Sequence, residues 1–590
     1  MRISYKNRRL EQATIAVNTL ATAAVVATFV LLFGYEKPLL PANLLYTAQI
    51  VLLCVFTFEK IVRILNAASI KEYFRFAWLE IPLLIGLFLV LLGSSVLFDA
   101  QNVAVARHAA IGIYLVLDIT FKLCRTTISL AASGHNSTRV FIFSFLFLVF
   151  VGGSLLSLPR ASAGQEVSFI DALFTATSAT CVTGLTVNDV GKAFSLPGQM
   201  VILALIQLGG LGIVIFGAVF ALMLGQALSL RESVAMRDII SDSTLGRIGN
   251  MIVFIVLGTF IIEGIGAVGL YSMWDNIGDV SSQQKWFYSI FHSISAFCNA
   301  GFALFTRNLI DYNHQWQVYG VIASLIIVGG LGFGVLYNVT SVIIDKVKRL
   351  SIRIFRKDRQ FNYAPIKLKL QSKIVLTVSA LLIVGGMVML LIFEHFTGKG
   401  ALGDNPVAGA YFQSVTARTA GFNSIDIAAL SEPAKFILIV LMFIGGSPGS
   451  TAGGIKTVTF AVLVVTVIAS LRKRREVEIF HRSIGIGVVG KALTVTFLFM
   501  LVLFTSTFLL SITERNSGFG FIDILFEVAS ALGTVGLSAG LTPSLTTAGK
   551  LIIITTMLIG RLGPLTLLAE LTFNLKPAKY SYVEESVIVG

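Results

Sequence analysis

Apolar stretches of about twenty residues recur along the whole chain, and each is long enough to cross ~30 Å of hydrocarbon. Examples are residues 15–33, 81–98, 140–156, 200–224, 251–270, 374–393, 436–468 and 493–512. A bilayer offers the backbone no water, so such segments must satisfy their own polar groups as helices. Charge agrees with this: of 590 residues only 13% are charged and 55% are hydrophobic, whereas a soluble chain carries roughly twice that charge. A soluble protein with one very large core has no use for so many apolar runs. The basic start, with Arg2, Lys6, Arg8 and Arg9, precedes a run too long for a signal peptide, and is expected to open a retained first span.

The net charge of +14 is placed in a way that argues against nucleic-acid binding. Lys346, Lys348, Arg349, Arg353, Arg356, Lys357, Arg359, Lys367, Lys369 and Lys373 crowd one loop, and Arg472, Lys473, Arg474 and Arg475 another. The loops between are poor in both residues, so by the positive-inside rule the basic loops mark the cytoplasmic side. Cys54, Cys124, Cys181 and Cys298 form no CxxC pair, which speaks against disulfide and zinc frameworks.

Four short segments repeat one pattern. An aromatic residue (Phe174, Phe291, Tyr411, Phe526) stands ten positions before a glycine (Gly184, Gly301, Gly421, Gly536), and Leu or Phe follows that glycine. The glycines are 117, 120 and 115 residues apart. A second landmark keeps the frame: Gly209-Gly210-Leu211-Gly212, Gly329-Gly330-Leu331-Gly332, Gly445-Gly446-Ser447-Pro448 and Gly560-Arg561-Leu562-Gly563 begin 24 to 28 residues after those glycines. Each unit therefore reads as span, short segment, span.

About ten helical residues cover only ~15 Å, so the short segments are expected to dip into the membrane and return. Non-helical backbone at that depth must line a water-filled path or be buried in protein. Asp171 and Asp523 suit the N-terminal caps of such pore helices, and the helix C-termini then point partial negative charge inward, toward a cation. Bare K⁺ needs oxygen ligands in place of water, and stacked carbonyl rings supply them. The candidate ion-binding strips are Thr180-Cys181-Val182-Thr183-Gly184, Phe297-Cys298-Asn299-Ala300-Gly301, Ala417-Arg418-Thr419-Ala420-Gly421 and Leu532-Gly533-Thr534-Val535-Gly536. Glycine permits backbone angles that a Cβ blocks, and Thr180 and Thr183 offer hydroxyl oxygens. The alternative is glycine serving only helix packing, which is the stronger competitor for the GGLG series.

Repeat three interrupts its second span with Gly445, Gly446, Ser447, Pro448, Gly449, Ser450, Thr451, Ala452, Gly453 and Gly454. Proline and glycine break the helix, so an irregular loop is expected at mid-membrane depth below the strips; a mere kink is the other possibility. Arg561 stands where repeats one and two have glycine. Such a residue must face a cavity or bond to carbonyls, and it could close the path as a fixed charge or hold the loop.

These residues resemble the Trk/Ktr/HKT superfamily of K⁺ and Na⁺ translocators over roughly residues 137–590. The signatures are Thr-Ala-Thr-Ser-Ala-Thr-Cys-Val-Thr-Gly-Leu of repeat one and the run from Gly446 through Gly454-Ile455-Lys456-Thr457. The ending Val583-Glu584-Glu585-Ser586-Val587-Ile588-Val589-Gly590 is similar to the Ktr branch. The resemblance implies an all-α polytopic fold of four tandem helix–pore loop–helix repeats around one pseudo-fourfold pore. It implies that the four glycines form the filter, that 445–454 is a gating loop acting with Lys456 and Arg561, and that the transported ion is K⁺. Serine in place of the first filter glycine goes with Na⁺ transport; here all four are glycine. It also implies a homodimer in the lipid of the bacterial inner membrane, with both termini cytoplasmic, docked on a ring of cytosolic nucleotide-binding regulatory subunits.

The expected organisation is an N-terminal helical region 1–136, pore repeats 137–230, 247–345, 370–475 and 488–575, and a tail 576–590. Residues 1–136 add about four spans, 12–33, 45–66, 77–98 and 106–131. Glu59, Arg63, Glu80, Asp118, Lys122 and Arg125 are unusual at membrane depth. They read as paired charges holding a bundle, with a voltage-sensor-like domain as the weaker alternative. A secondary transporter normally shows inverted repeats, whereas these share one direction; ion-coupled symport or Na⁺ permeation within the same fold stays open. His108, His135, His292, His314, His395 and His481 have no metal or triad spacing, so an enzyme is not expected.

Overall fold

The computed structural model describes residues 6–69, 73, 80–97, 103–132, 137–164, 166–212, 248–275, 280–355, 364–398, 400–474 and 476–563. The ending 583–590 and residues 356–363 of the basic loop, on which two of the expectations above rest, lie outside them, as do the side chains of Glu80, Lys122 and Arg125.

Among the described residues four helices precede the repeats: α1 Arg8–Phe33, α2 Ala42–Asn66, α3 Glu80–Leu97 and α4 Val103–Ala132. Their apolar faces meet in a cluster that includes Val25, Phe56, Leu87, Tyr114 and Leu115. Two charges that look misplaced in apolar runs are matched: Lys60 Nζ lies 2.6 Å from Asp118 Oδ1 and 5.6 Å from the Tyr114 ring centroid. Arg63 pairs with Glu59 one turn away. Burial of an ion is tolerable only when it is paired in this way. The bundle is tied to the first repeat where Arg160 N donates to Gly34 O at 3.1 Å.

Repeat one is α5 Ser137–Leu156, pore helix α6 Phe169–Thr180 and α7 Leu196–Leu211. Repeat two is α8 Ile248–Leu270, pore helix α9 Ser282–Phe297, and α10 Ala323–Leu331 followed by α11 Phe333–Phe355. Repeat three is α12 Leu370–Thr397, pore helix α13 Pro406–Thr416, then α14 Glu432–Phe443 and α15 Thr457–Leu471. Repeat four is α16 Ile486–Thr513, pore helix α17 Phe521–Gly533 and α18 Thr547–Leu562. A small hairpin, β1 Val477–Ile479 with β2 Arg482–Ile484, joins repeats three and four.

The incoming spans of repeats two to four are continuous apolar helices of membrane length. All four described outgoing helices stop at the second landmark: in repeat three this is the expected interruption, whereas in repeats one, two and four it differs from the expectation of simple spans. Gly212, Gly332 and Gly563 take φ of +82°, +87° and +84° with extended ψ of 130°, 141° and 130°, a conformation that ends a helix and that glycine adopts without a Cβ penalty. At Gly332 the chain turns by 103° between α10 and α11. The first glycine of the landmark has a packing role. A Cβ on Gly209, Gly329 or Gly560 would collide with the carbonyl of Thr180, Phe297 or Leu532, the last residue or last but one of its own pore helix. Small residues let two backbones approach in lipid, so this landmark locks each outgoing helix to its pore helix.

Buried clusters straddle neighbouring repeats. Phe174 of repeat one joins Phe526 and Leu438 of repeats four and three. Phe297 of repeat two packs with Phe412 and Phe422 of repeat three, and Val182 of repeat one with Phe291 and Phe302 of repeat two. Each pore helix also touches the outgoing helix of the preceding repeat: α9 on α7, α13 on α10, α17 on α14, and α6 on α18. The order one-two-three-four-one closes a ring.

Candidate functional site

The pore helices begin on side-chain caps in three repeats. Ser168 Oγ accepts from Asp171 N at 3.2 Å, Asn405 Oδ1 accepts from Ala408 N at 3.2 Å, and Ser281 forms a capping box with Gln284. This corrects the expectation for the two aspartates. Asp171 and Asp523 occupy the first turn, but the caps are Ser168 and Gly520. Their carboxylates face ammonium groups instead: Lys550 Nζ is 2.6 Å from Asp171, and Lys435 Nζ is 2.9 Å from Asp523. A cation within reach outcompetes a local amide for a carboxylate, and the pairs lash pore helices one and four to α18 and α14.

At the other end the four strips share one backbone conformation. Val182, Asn299, Thr419 and Thr534 have φ of +55°, +58°, +74° and +49°, and the glycines two residues on have φ of +95°, +68°, +76° and +96°. Non-glycine residues in this region are uncommon and cost of order 1–3 kcal/mol each. The surrounding contacts hold them there. Thr183 N donates to Ser178 O at 2.7 Å, Ala300 N to Ser295 O at 2.7 Å, and Val535 N to Ser530 O at 2.8 Å. In strip three Ala420 N donates to Thr416 O at 2.9 Å.

The glycines meet their neighbours edge to edge. A Cβ on Gly184 would strike Ala300 O, on Gly301 it would lie 2.7 Å from Ala420 O, on Gly421 it would strike Val535 O, and on Gly536 it would strike Thr183 O. The same imagined atoms fall 2.9–3.2 Å from the Cα of the next glycine in the ring. Positive φ and lack of room both require glycine here. Around this ring the hydroxyls of Thr180, Thr183, Thr419 and Thr534 are buried and make no hydrogen bond within the protein.

The remaining strip side chains turn away from the ring or pack behind it. Cys181 and Cys298 are fully buried thiols. Cys298 Sγ lies 3.7 Å from Gln207 Oε1 and 3.9 Å from Glu263 Oε1. Asn299 in its better-satisfied orientation donates to Ile326 O and Ala296 O at 3.2 and 3.1 Å. Arg418 reaches Ser379 of α12.

Several supports escaped the sequence reading. Ser178 Oγ and Ser530 Oγ each accept from the filter-glycine N–H at 3.0 Å, and Ser295 Oγ donates to Phe302 O at 2.8 Å. All three stand six residues before their glycine, a signal that the repeat alignment carries; repeat three has Val415 there, and the main-chain carbonyl of Thr416 accepts from Ala420 N and Gly421 N. Outside the ring, Glu527 accepts from Ser538 Oγ at 2.8 Å and from the Thr542 hydroxyl, tying pore helix four to the chain after its strip. Glu263, the one carboxylate within α8, was visible as a charge at membrane depth.

Residues 445–454 leave the helix as expected. The parallel bridge between Ile444 and Ile455 pinches their neck, with Gly445 N donating to Ile455 O at 2.9 Å and Thr457 N to Gly446 O at 3.0 Å. A kink does not describe it: the ends meet and the intervening residues form a closed lobe. Ser447 N donates to Gly330 O at 3.0 Å, Phe333 N donates to Gly449 O at 2.9 Å, and Thr451 Oγ1 donates to Gly329 O and Phe297 O at 3.1 and 3.3 Å. Ser450 Oγ folds back on Ser447 O at 2.7 Å, and Lys456 Nζ donates to Ala452 O at 2.8 Å. Pro448 and Gly449 form the tip turn, and Gly453 packs on Gly533 and Thr534 of strip four. From α18, Arg561 donates to Thr451 O through one terminal nitrogen. Through the other it donates to Gly209 O at 2.6 Å and Gly210 O at 3.4 Å. The loop thus touches repeats two and four directly, and repeat one through the arginine.

Fold and site together define a polytopic, all-α membrane protein in which four repeats close around a shared ring of backbone. The chain belongs to the TrkH family of cation transport proteins, whose profile matches residues 136–581, and it is a transporter rather than an enzyme. It is 40% identical to the Ktr system potassium uptake protein B of Bacillus subtilis over 436 residues, which cover 72% of this chain and 91% of that protein. It is 37% identical to the potassium/sodium uptake protein NtpJ of Enterococcus hirae, covering 76% and 95%. The crystal structure of the potassium transporter TrkH from Vibrio parahaemolyticus has the same fold, with a TM-score of 0.55 at 18% identity, covering 85% of this chain and 96% of that one.

Proposed function

We propose that this chain carries K⁺ into a bacterial cell across the inner membrane, through a filter formed by the four strips and under a gate formed by residues 445–454, Lys456 and Arg561. The observation that carries the reading is the ring of Gly184, Gly301, Gly421 and Gly536, each abutting the strip of the next repeat. Left-handed residues alternate with ordinary ones in every strip. That alternation turns successive carbonyls to one side, so four strips present stacked oxygen rings. Such rings replace the hydration shell of K⁺. The pore-helix C-termini add partial negative charge from four directions.

The relatives named as potassium uptake proteins support K⁺ as the cargo. NtpJ, named for both potassium and sodium, favours a second reading in which Na⁺ also passes; four glycines without a serine argue for the narrower specificity. We infer further that the protein acts as a homodimer, with both termini cytoplasmic, and docks on a nucleotide-binding regulatory ring, as a component of a Ktr-like system. The test is Rb⁺ uptake by the purified chain in liposomes. Excess K⁺ should abolish it and equimolar Na⁺ should leave it intact; equal competition by Na⁺ overturns the K⁺ assignment. Proton co-movement with Rb⁺ would point to a symporter.

A further inference from the structure

Past the break at Gly332 the chain does not resume its course across the membrane. A crossing helix tilts about 20° from the membrane normal on average, and α11 is set at 103° to the helix before it. It therefore runs close to the membrane plane. Its level is fixed by what it touches. A Cβ on Gly334 would touch Met251, and the Tyr337 ring meets Phe254 at 5.2 Å, both within the first two turns of α8. Asn338 Oδ1 accepts from Lys369 N at 3.0 Å and from Ser372 Oγ at 2.9 Å at the start of α12, and Asp345 Oδ2 accepts from Ile366 N at 3.1 Å just before it. Both α8 and α12 contain spans of membrane length, so α11 lies beside their ends, at the membrane boundary.

The helix has two unlike faces. Val342 and Asp345 are buried, and Arg349 pairs with Asp345 at 2.9 Å. On the opposite side Ile343, Val347, Leu350 and Ile354 are 54–65% exposed. Their spacing of four, three and four residues keeps them within about 60° around the helix axis, so they form one apolar row. The exposed Lys346 and Lys348 stand on either side of it. Because α11 lies beside the spans and not beneath them, the row opposite that contact points outward at the level of the headgroups. A helix of this pattern, lying in the plane, satisfies both parts where headgroups meet acyl chains: the row sinks into the apolar layer and the ammonium groups meet phosphates.

We propose that α11 is an interfacial helix that binds anionic phospholipid of the leaflet on which α8 and α12 begin, through the row Ile343, Val347, Leu350 and Ile354 and through Lys346 and Lys348. On the orientation proposed above this is the cytoplasmic leaflet, whose anionic lipids attract such lysines. The helix also begins at a residue that grips the loop, since Phe333 N donates to Gly449 O at 2.9 Å. The lipid contact is thus on the same helix as an anchor of the proposed gate.

The experiment places the photocrosslinker benzoylphenylalanine at Val347, and in a second variant at Leu350, in the full chain. Each is reconstituted in vesicles of phosphatidylcholine with a minority of phosphatidylglycerol and irradiated, and adducts are read by mass spectrometry. Both positions should yield phospholipid adducts, with phosphatidylglycerol enriched at least about threefold over its share of the vesicle. With Lys346→Gln and Lys348→Gln added, the adducts should persist and that enrichment should vanish. A crosslink to a second copy of the chain, or no lipid adduct at either position in protein of wild-type Tm, overturns the interfacial helix. Adducts that mirror the vesicle composition while both lysines are present overturn the anionic selection.

Discussion

Replacing Arg561 with alanine should open the path. In the structure this side chain joins the loop to repeat one by donating to Thr451 O on one side and to Gly209 O and Gly210 O on the other. When the loop moves aside only the Thr451 bond must break, because the two glycine carbonyls belong to α7. A hydrogen bond from a charged donor contributes about 1.5–3 kcal/mol. Its loss should raise the open-to-closed ratio by about 10- to 100-fold, since each 1.4 kcal/mol is a factor of ten. The loop keeps its other ties, to Gly329, Gly330 and Phe333, so the variant should leak rather than lose its gate. The assay is Rb⁺ influx into liposomes without any regulatory subunit, with Arg561→Lys as the control that keeps the charge and loses the forked geometry; it should fall between wild type and alanine. An Arg561→Ala protein with normal Tm and size-exclusion profile, yet flux equal to or below wild type, refutes the reasoning.

Three further outcomes follow from the same geometry. Deleting residues 447–453 should raise basal flux and reduce dependence on the regulator without changing the K⁺ over Na⁺ preference; a folded deletion with unchanged or abolished flux would make the loop structural. Ser178→Ala and Ser530→Ala each remove the acceptor of a filter-glycine N–H, at a cost of about 1–3 kcal/mol for a buried unsatisfied donor. The double variant should lose K⁺ preference in competition assays by more than either single one, and retained selectivity in all three would count against the braces. Asp171→Asn should weaken the pairing with Lys550, which is partly shielded from solvent. A double-mutant cycle with Lys550→Ala, read by thermal unfolding, should then show coupling of about 1 kcal/mol, and zero coupling would mean that the pair does not hold the pore helix.

The four-repeat plan was legible because the ring demands the same strip four times, and the sequence repeats it at a near-constant interval. The break in repeat three was legible because proline and five glycines cannot continue a helix. Less could be read where partners are remote. Lys550 and Asp171 are 379 positions apart, and Lys435 and Asp523 are 88 apart, so nothing local distinguished an ion pair from a cap. The contact of Arg561 with the loop followed from equal depth in the repeats, but its second hold, on Gly209 and Gly210, depends on ring closure between repeats four and one. The endings of the outgoing helices of repeats one, two and four have no proline to mark them, and their Gly-x-Leu-Gly runs read equally well as helix packing. Each such run is packing at its first glycine and a helix stop at its last. Lys60 and its partner Asp118 are 58 positions apart, so nothing local marks them as a pair.

The central claim is that the four glycines form the ring that selects K⁺. Gly184→Ser tests it most directly, because a side chain there must push against Ala300 O and hold φ near +95°. The measurement is Rb⁺ and Na⁺ uptake by wild type and variant in parallel liposomes, or growth of a K⁺-uptake-deficient host at low K⁺. The ring predicts that the variant admits Na⁺ and that Na⁺ now competes with Rb⁺. A variant that inserts and folds normally and still excludes Na⁺ as wild type does would contradict it.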